Sequence, residues 1–133
     1  MDTLAQYLDG KRKALLTGDY KKAGDNHDES CLFIALEVAK RLRAEAKEPY
    51  VVRFLPIGES LRPLMFQGRV LWLCHIVCCC DGIAYDPLCA SSIPVERYAS
   101  AVFGEELIPG AIWSSAQIEE ILKRGQYAKY LSA

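Results

Sequence analysis

The sequence predicts a single α+β domain. Three observations lead there: a long apolar-striped helix pattern early in the chain, a run of β-type segments in the middle joined by an Asp-Gly turn, and helical patterns again toward the end. The order is helix, central helix, antiparallel sheet, then helices. A length of 133 residues fits one domain, and 51% hydrophobic residues suffice for a core. Domain 1–133 is therefore read as one unit.

Residues 3–16 read as a first helix, with Leu4, Tyr7, Leu8, Leu15 and Leu16 loosely on one side and Gly10 as a weak point. The polar stretch TGDYKKAGDNHDES, with Gly18 and Gly24, reads as a loop. The strongest helix follows at about 29–46, ESCLFIALEVAKRLRAEA. Asn26, Asp28 and Ser30 are candidate N-caps, and acids suit the positive helix start. Cys31, Ala35, Val38 and Leu42 form one stripe, which Leu32, Leu36 and Ala39 widen into a buried face. Cys31 is thus expected in the first turn, at the edge of the core.

Pro49 closes that region, and YVVRFLPI, 50–57, reads as a strand. GESLRPLMFQG, 58–68, reads as a loop with an apolar centre, placed to border a cleft together with the polar segment 18–28. RVLWLCHIVCCC, 69–80, reads as one long buried strand. Asp81-Gly82 is a two-residue hairpin turn, because both positions favour positive φ. IAYD, 83–86, is the return strand, stopped by Pro87. Helices are expected at 94–104, opened by Pro94, and at 114–123, opened by Ser114 or Ser115.

The turn also fixes a register. Cys80 faces Ile83, Cys79 faces Ala84, Cys78 faces Tyr85 and Val77 faces Asp86. The period of two puts His75, Val77 and Asp86 on one sheet face, with His75 and Asp86 as diagonal neighbours about 7–8 Å apart at Cα. A carboxylate there would fix the imidazole tautomer and leave the second ring nitrogen to work. Trp72, Cys74, Ile76, Cys78 and Cys80 are expected on the opposite face, where the thiols act as small apolar groups.

Composition excludes several functions. The 16 basic and 17 acidic residues nearly cancel, so neither nucleic acid nor an anionic membrane is an expected partner. No apolar run is long enough to span a bilayer, and the opening MDTLAQYLDGKRKALL lacks the apolar centre of a signal peptide. A cytoplasmic, reducing location is the expectation, and the six cysteines do not read as a disulfide framework. CxxC pairs on turns are missing, so a zinc site on Cys74, His75 and the triplet is a minor alternative.

A histidine–carboxylate pair calls for a nucleophile or a metal, and Cys31 is the best candidate: a helix start favours thiolate and offers a backbone N–H to an oxyanion. His27, four residues from Cys31, is a rival base in a polar loop. A cysteine opening a buried helix, then a strand histidine, then an aspartate on the next strand resembles the papain-like and transglutaminase-like cysteine enzymes. The matching pieces are ESCLFIALEVAKRL and LCHIVCCCDGIAYDP, within residues 26–90. Leu32 stands where papain-type proteases usually carry tryptophan, and the chain is short. The resemblance is therefore to the compact branch: transglutaminase-like proteins, protein glutamine deamidases and papain-fold toxins or effectors.

It implies Cys31 as nucleophile, His75 as general base and acid, and Asp86 as the orienting group, with Asn26 as oxyanion donor or helix cap. It implies acyl transfer on a protein or peptide substrate through a thioester, with no cofactor and no metal. The alternative is a non-catalytic binding or regulatory protein of the same fold.

Overall fold

A computed structural model describes residues 3–17, 27–67, 72–89 and 91–124. Among the described residues, four helices and a curled five-stranded antiparallel sheet make a mixed α+β fold. The helices are α1 (Leu4–Thr17), α2 (His27–Ala44), α3 (Val95–Phe103) and α4 (Ser115–Arg124). The strands are β1 (Tyr50–Pro56), β2 (His75–Cys80), β3 (Ile83–Tyr85), β4 (Ile93–Pro94) and β5 (Leu107–Trp113), ordered β4-β3-β2-β1-β5.

The sheet is covered on both faces. On one, α2 and α4 bury Leu32, Leu36, Leu42, Ile118 and Ile121 against Val51, Ile76, Cys78, Cys80 and Trp113. On the other, Tyr98, Val102 and Phe103 of α3 pack on Val52, Phe54, Val77 and Cys79. All six residues of β2 are buried, which is why that strand is a continuous apolar run rather than an alternating one. Arg43 of α2 ties the first layer together, donating to the Ser115 hydroxyl at 3.0 Å and pairing with Glu119 at 3.2 Å.

Local chemistry explains the helix starts. Thr3 and Gln6 exchange side-chain-to-backbone hydrogen bonds at 2.7 and 3.1 Å, and Ser114 and Gln117 do the same at 2.8 and 3.3 Å. Each is a capping box that satisfies two orphan donors. Gly10 is tolerated inside α1 on its exposed side.

The Asp81-Gly82 turn has φ of 53° and 76°, and the observed pairs are Cys80↔Ile83, Cys79↔Ala84 and Cys78↔Tyr85, the register expected from the turn.

Several expectations are corrected. The strand expected over 69–80 is regular only from His75; residues 68–71 lie outside the described residues. Trp72 leaves the sheet and forms an isolated bridge with Leu61, whose N–H reaches the Trp72 carbonyl at 2.7 Å. Trp72 is therefore not on the face of Ile76, Cys78 and Cys80; that face is packed by Trp113 instead. The loop at 58–68 contains a short 3-10 turn, Leu64–Phe66, and packs Leu61 and Phe66 into the α3-side core. β4 and β5 were not anticipated. β5 carries Pro109 and Gly110, which argue against a central strand, but it lies at the sheet edge and pairs with β1 alone. The C-terminal residues 125–133 lie outside the described residues.

Candidate active site

The site lies where β2 begins. His75 is the first residue of β2, and Asp86 follows the last residue of β3. Both are buried, at 3% and 4% exposure. His75 Nε2 is 3.1 and 3.2 Å from the two Asp86 carboxylate oxygens. Nε2–H is thus the donor to the carboxylate.

Sequence reasoning missed the residues that hold this pair. Tyr98, fully buried on α3, donates its hydroxyl to Asp86 Oδ2 at 2.5 Å. The carboxylate therefore accepts from a ring nitrogen and a phenol at once. Burial, then the Asp86 charge and this hydrogen bond push the Tyr98 phenol well above its ordinary range, so it remains a donor. Trp72 stacks on the imidazole with centroids 5.2 Å apart and planes 15° apart. Phe103 meets the ring edge-on at 6.1 Å. These contacts leave the ring little freedom to rotate. One signal for Tyr98 was present: Tyr98 and Val102 are four apart in VERYASAVF, the spacing of a buried helix face.

Cys31 is 3% exposed and belongs to the α2-side core, whereas the imidazole packs among aromatic residues of the other side. The two nevertheless share a cavity. Leu15, Cys31, Trp72, His75, Asp86 and Leu88 all line one cavity of about 10 Å³, room for about one water molecule. Helix α2 starts two residues earlier than expected, so Cys31 opens the second turn rather than the first. Its own N–H lies within the helical ladder, and the orphan amides belong to the residues before it. His27 is the first residue of α2 and not a loop residue. Asn26 lies outside the described residues. The cavity is bordered by Leu15 of α1 rather than by the loop at 58–68; segment 18–26 is outside the described residues.

The segment after Asp86 is anchored from α1. Arg12 Nη1 donates to the carbonyls of Pro87 and Leu88 at 3.2 and 2.7 Å. Cys89 N–H returns to the Asp86 carbonyl at 3.1 Å, closing a turn around Pro87. Among the described residues no buried side-chain nitrogen or oxygen lacks a hydrogen-bond partner.

All six cysteines are among the described residues and none is in a disulfide. Cys78 and Cys80 face α2 while Cys79 faces α3, and no group of three or more metal-capable side chains gathers among the described residues. Burial pushes the Cys79 thiol up to about 12, with the Asp86 charge and Cys80 adding to it. Cys78 is raised further, again mainly by burial. A thiol with a raised folded-state pKa contributes its stability in full below the unfolded value of about 8.5, and that contribution is lost as pH climbs toward the folded value. The urea midpoint is therefore expected to fall between pH 8 and pH 10.5, and to fall less when Cys78 and Cys79 are both replaced by valine. Equal pH slopes in the two proteins would reject the assignment.

No family model, no curated protein and no solved structure matches the chain. Among the described residues no helix is long and apolar enough to cross a membrane.

Proposed function

We propose that the protein is a thiol-dependent amide hydrolase or acyltransferase of the papain-like or transglutaminase-like kind. The observation that carries this reading is the buried His75–Asp86 pair, 3.1 Å apart, opening onto the same cavity as Cys31. In this reading Nδ1 of His75 takes the Cys31 proton, and the thiolate adds to a carboxamide or peptide carbonyl of a protein substrate. The imidazolium then gives its proton to the departing amine as the carbon–nitrogen bond breaks, leaving a thioester. Water yields the acid, or a second amine yields a new amide. Asp86 holds the Nε2–H tautomer and stabilises the imidazolium. With Cys31 one turn into α2, activation of its sulfur falls more on His75 than on the helix dipole, which fades beyond the first turn. No cofactor or metal enters the scheme.

A second reading, a binding or regulatory protein of the same fold without turnover, draws on the closure of the cavity and the 3% exposure of Cys31. The two separate by experiment. The protein is incubated with a glutamine-containing casein and a labelled primary amine, and separately with a chloroacetamidine probe that alkylates cysteine. The enzyme reading expects an adduct mapped by mass spectrometry to Cys31, absent in Cys31→Ala and reduced at least tenfold in His75→Ala. Alkylation of Cys31 at the same rate in both His75 backgrounds rejects it in favour of the binding protein.

A further inference from the structure

We infer that α1 is an inhibitory strap, held across the site by Arg12 and Leu15, which must swing away before a substrate can reach Cys31. The inference rests on the catalytic reading above for its consequence, but its geometry stands by itself.

A cavity of about 10 Å³ admits no peptide, and both Cys31 and His75 are 3% exposed. Something must move to open it. The cavity walls come from four places: α2, the start of β2 with Trp72, the turn after Asp86, and α1. Three of these are fixed by the core. Helix α2 buries seven side chains from Cys31 to Leu42. Trp72 and β2 are packed by rings and by pairing on both sides of the strand. Asp86 is bound by His75 and Tyr98.

Helix α1 differs from them. Among its described side chains Leu15 alone is buried, at 5% exposure, while Leu16 beside it is 59% exposed. Its first half rests on α2 through half-buried Leu4, Tyr7 and Leu8, which pack against the α2-side core, and through Arg41, whose guanidinium lies over the Tyr7 ring at 4.5 Å and reaches the Thr3 carbonyl at 3.5 Å. Its second half is held by Leu15 in the cavity wall and by the Arg12 fork on the Pro87 and Leu88 carbonyls. Leu15 and Arg12 are thus the α1 side chains that close the site. Regions with few buried contacts are those that open locally while the rest stays folded. The two acceptors of Arg12 lie in the turn that follows Asp86. Release at Arg12 uncovers the site without breaking the His75–Asp86–Tyr98 network.

The test reads access at single thiols. Iodoacetamide labelling of each cysteine is followed by peptide mass mapping in the wild type, in Arg12→Gln and in Arg12→Gln/Leu15→Ser. Cys31 labelling is expected to rise at least tenfold in the double variant and severalfold in Arg12→Gln. Labelling of Cys78, buried between α2 and the sheet, is expected to stay at the wild-type rate and so reports that the core is intact. A rise at Cys31 matched by an equal rise at Cys78 would mean general loosening, and no rise at Cys31 would mean that α1 is not the barrier; either overturns the strap. Hydrogen exchange on the unaltered protein gives an independent reading. The α1 amides are expected to exchange at least a hundredfold faster than those of β2, and equal protection overturns the proposal even if the variants fail to fold. Adding His75→Ala to the opened double variant separates the two ideas. If Cys31 is exposed there but its reactivity ignores His75, the strap stands and the catalytic reading falls.

Discussion

Replacing Asp86 by alanine is expected to destabilise the protein by about 2–5 kcal/mol, the range for leaving two buried donors without their acceptor. The carboxylate accepts from His75 Nε2 and from the Tyr98 hydroxyl, and all three side chains are buried. Alanine leaves two interior donors with no acceptor in place, and each such group costs its own desolvation. Asparagine is the informative companion. It keeps the shape but brings one acceptor oxygen and one NH₂ where two acceptors stood, so one donor faces another. A loss of about 1–3 kcal/mol is expected for it. On the proposed thiol-dependent amide chemistry, turnover should suffer far more than stability in Asp86→Asn, by about four orders of magnitude, because the imidazole loses the group that fixes its tautomer. Urea titration and steady-state rates on the same preparations give both numbers. An alanine variant with the wild-type urea midpoint would show that the pair is not the buried anchor described above, and an asparagine variant with wild-type turnover would remove Asp86 from the mechanism.

The half of the site that was legible in the sequence is the half fixed by short-range rules. Asp81-Gly82 sets a turn, the turn sets a register, and the register brings His75 and Asp86 to one face at a distance their side chains can span. Nothing beyond eleven residues is needed. Cys31 was a choice by chemistry, since no local rule connects α2 to β2. The two share a cavity because α2 packs along the sheet with its start at the end where β2 begins.

The supporting residues were hidden for a different reason. Trp72 belongs to an unbroken apolar run, and such a run contains no mark of where pairing stops. The strand ends because Leu61 takes the Trp72 backbone into a separate bridge, a contact across the loop that sequence spacing does not announce. Tyr98 reads as one more apolar helix residue until the sheet brings its hydroxyl to Asp86. Arg12 reads as a solvated charge until its acceptors arrive from a turn more than seventy residues away. β5 was lost because Pro109 and Gly110 weigh against a strand, and only tertiary position makes an edge strand tolerant of them.

Trp72 is where fold and site depend on each other most, and Trp72→Ala is expected to cost about 3–5 kcal/mol. The ring is 7% exposed, stacks on His75 and meets Phe66 edge-on at 5.9 Å. Truncation removes the contacts of both neighbours and opens a void that the loop at 58–67 is poorly placed to fill, because its backbone is pinned by the Leu61 bridge on either side, at 2.7 and 3.0 Å. Trp72→Phe keeps a ring over the imidazole and most of the apolar volume, so it should lose less than half as much. The comparison separates packing from positioning. If the tryptophan serves the core alone, the phenylalanine variant should recover stability and catalysis together. If it also holds the imidazole at the angle that presents Nδ1 to Cys31, phenylalanine should recover most of the stability while His75-dependent alkylation of Cys31 stays at least tenfold below wild type. The second outcome is expected, because a smaller ring restrains the 15° stack over less area. An alanine variant within about 1 kcal/mol of wild type, at unchanged denaturant slope, would show that the wall of the site bears no part of the fold's stability.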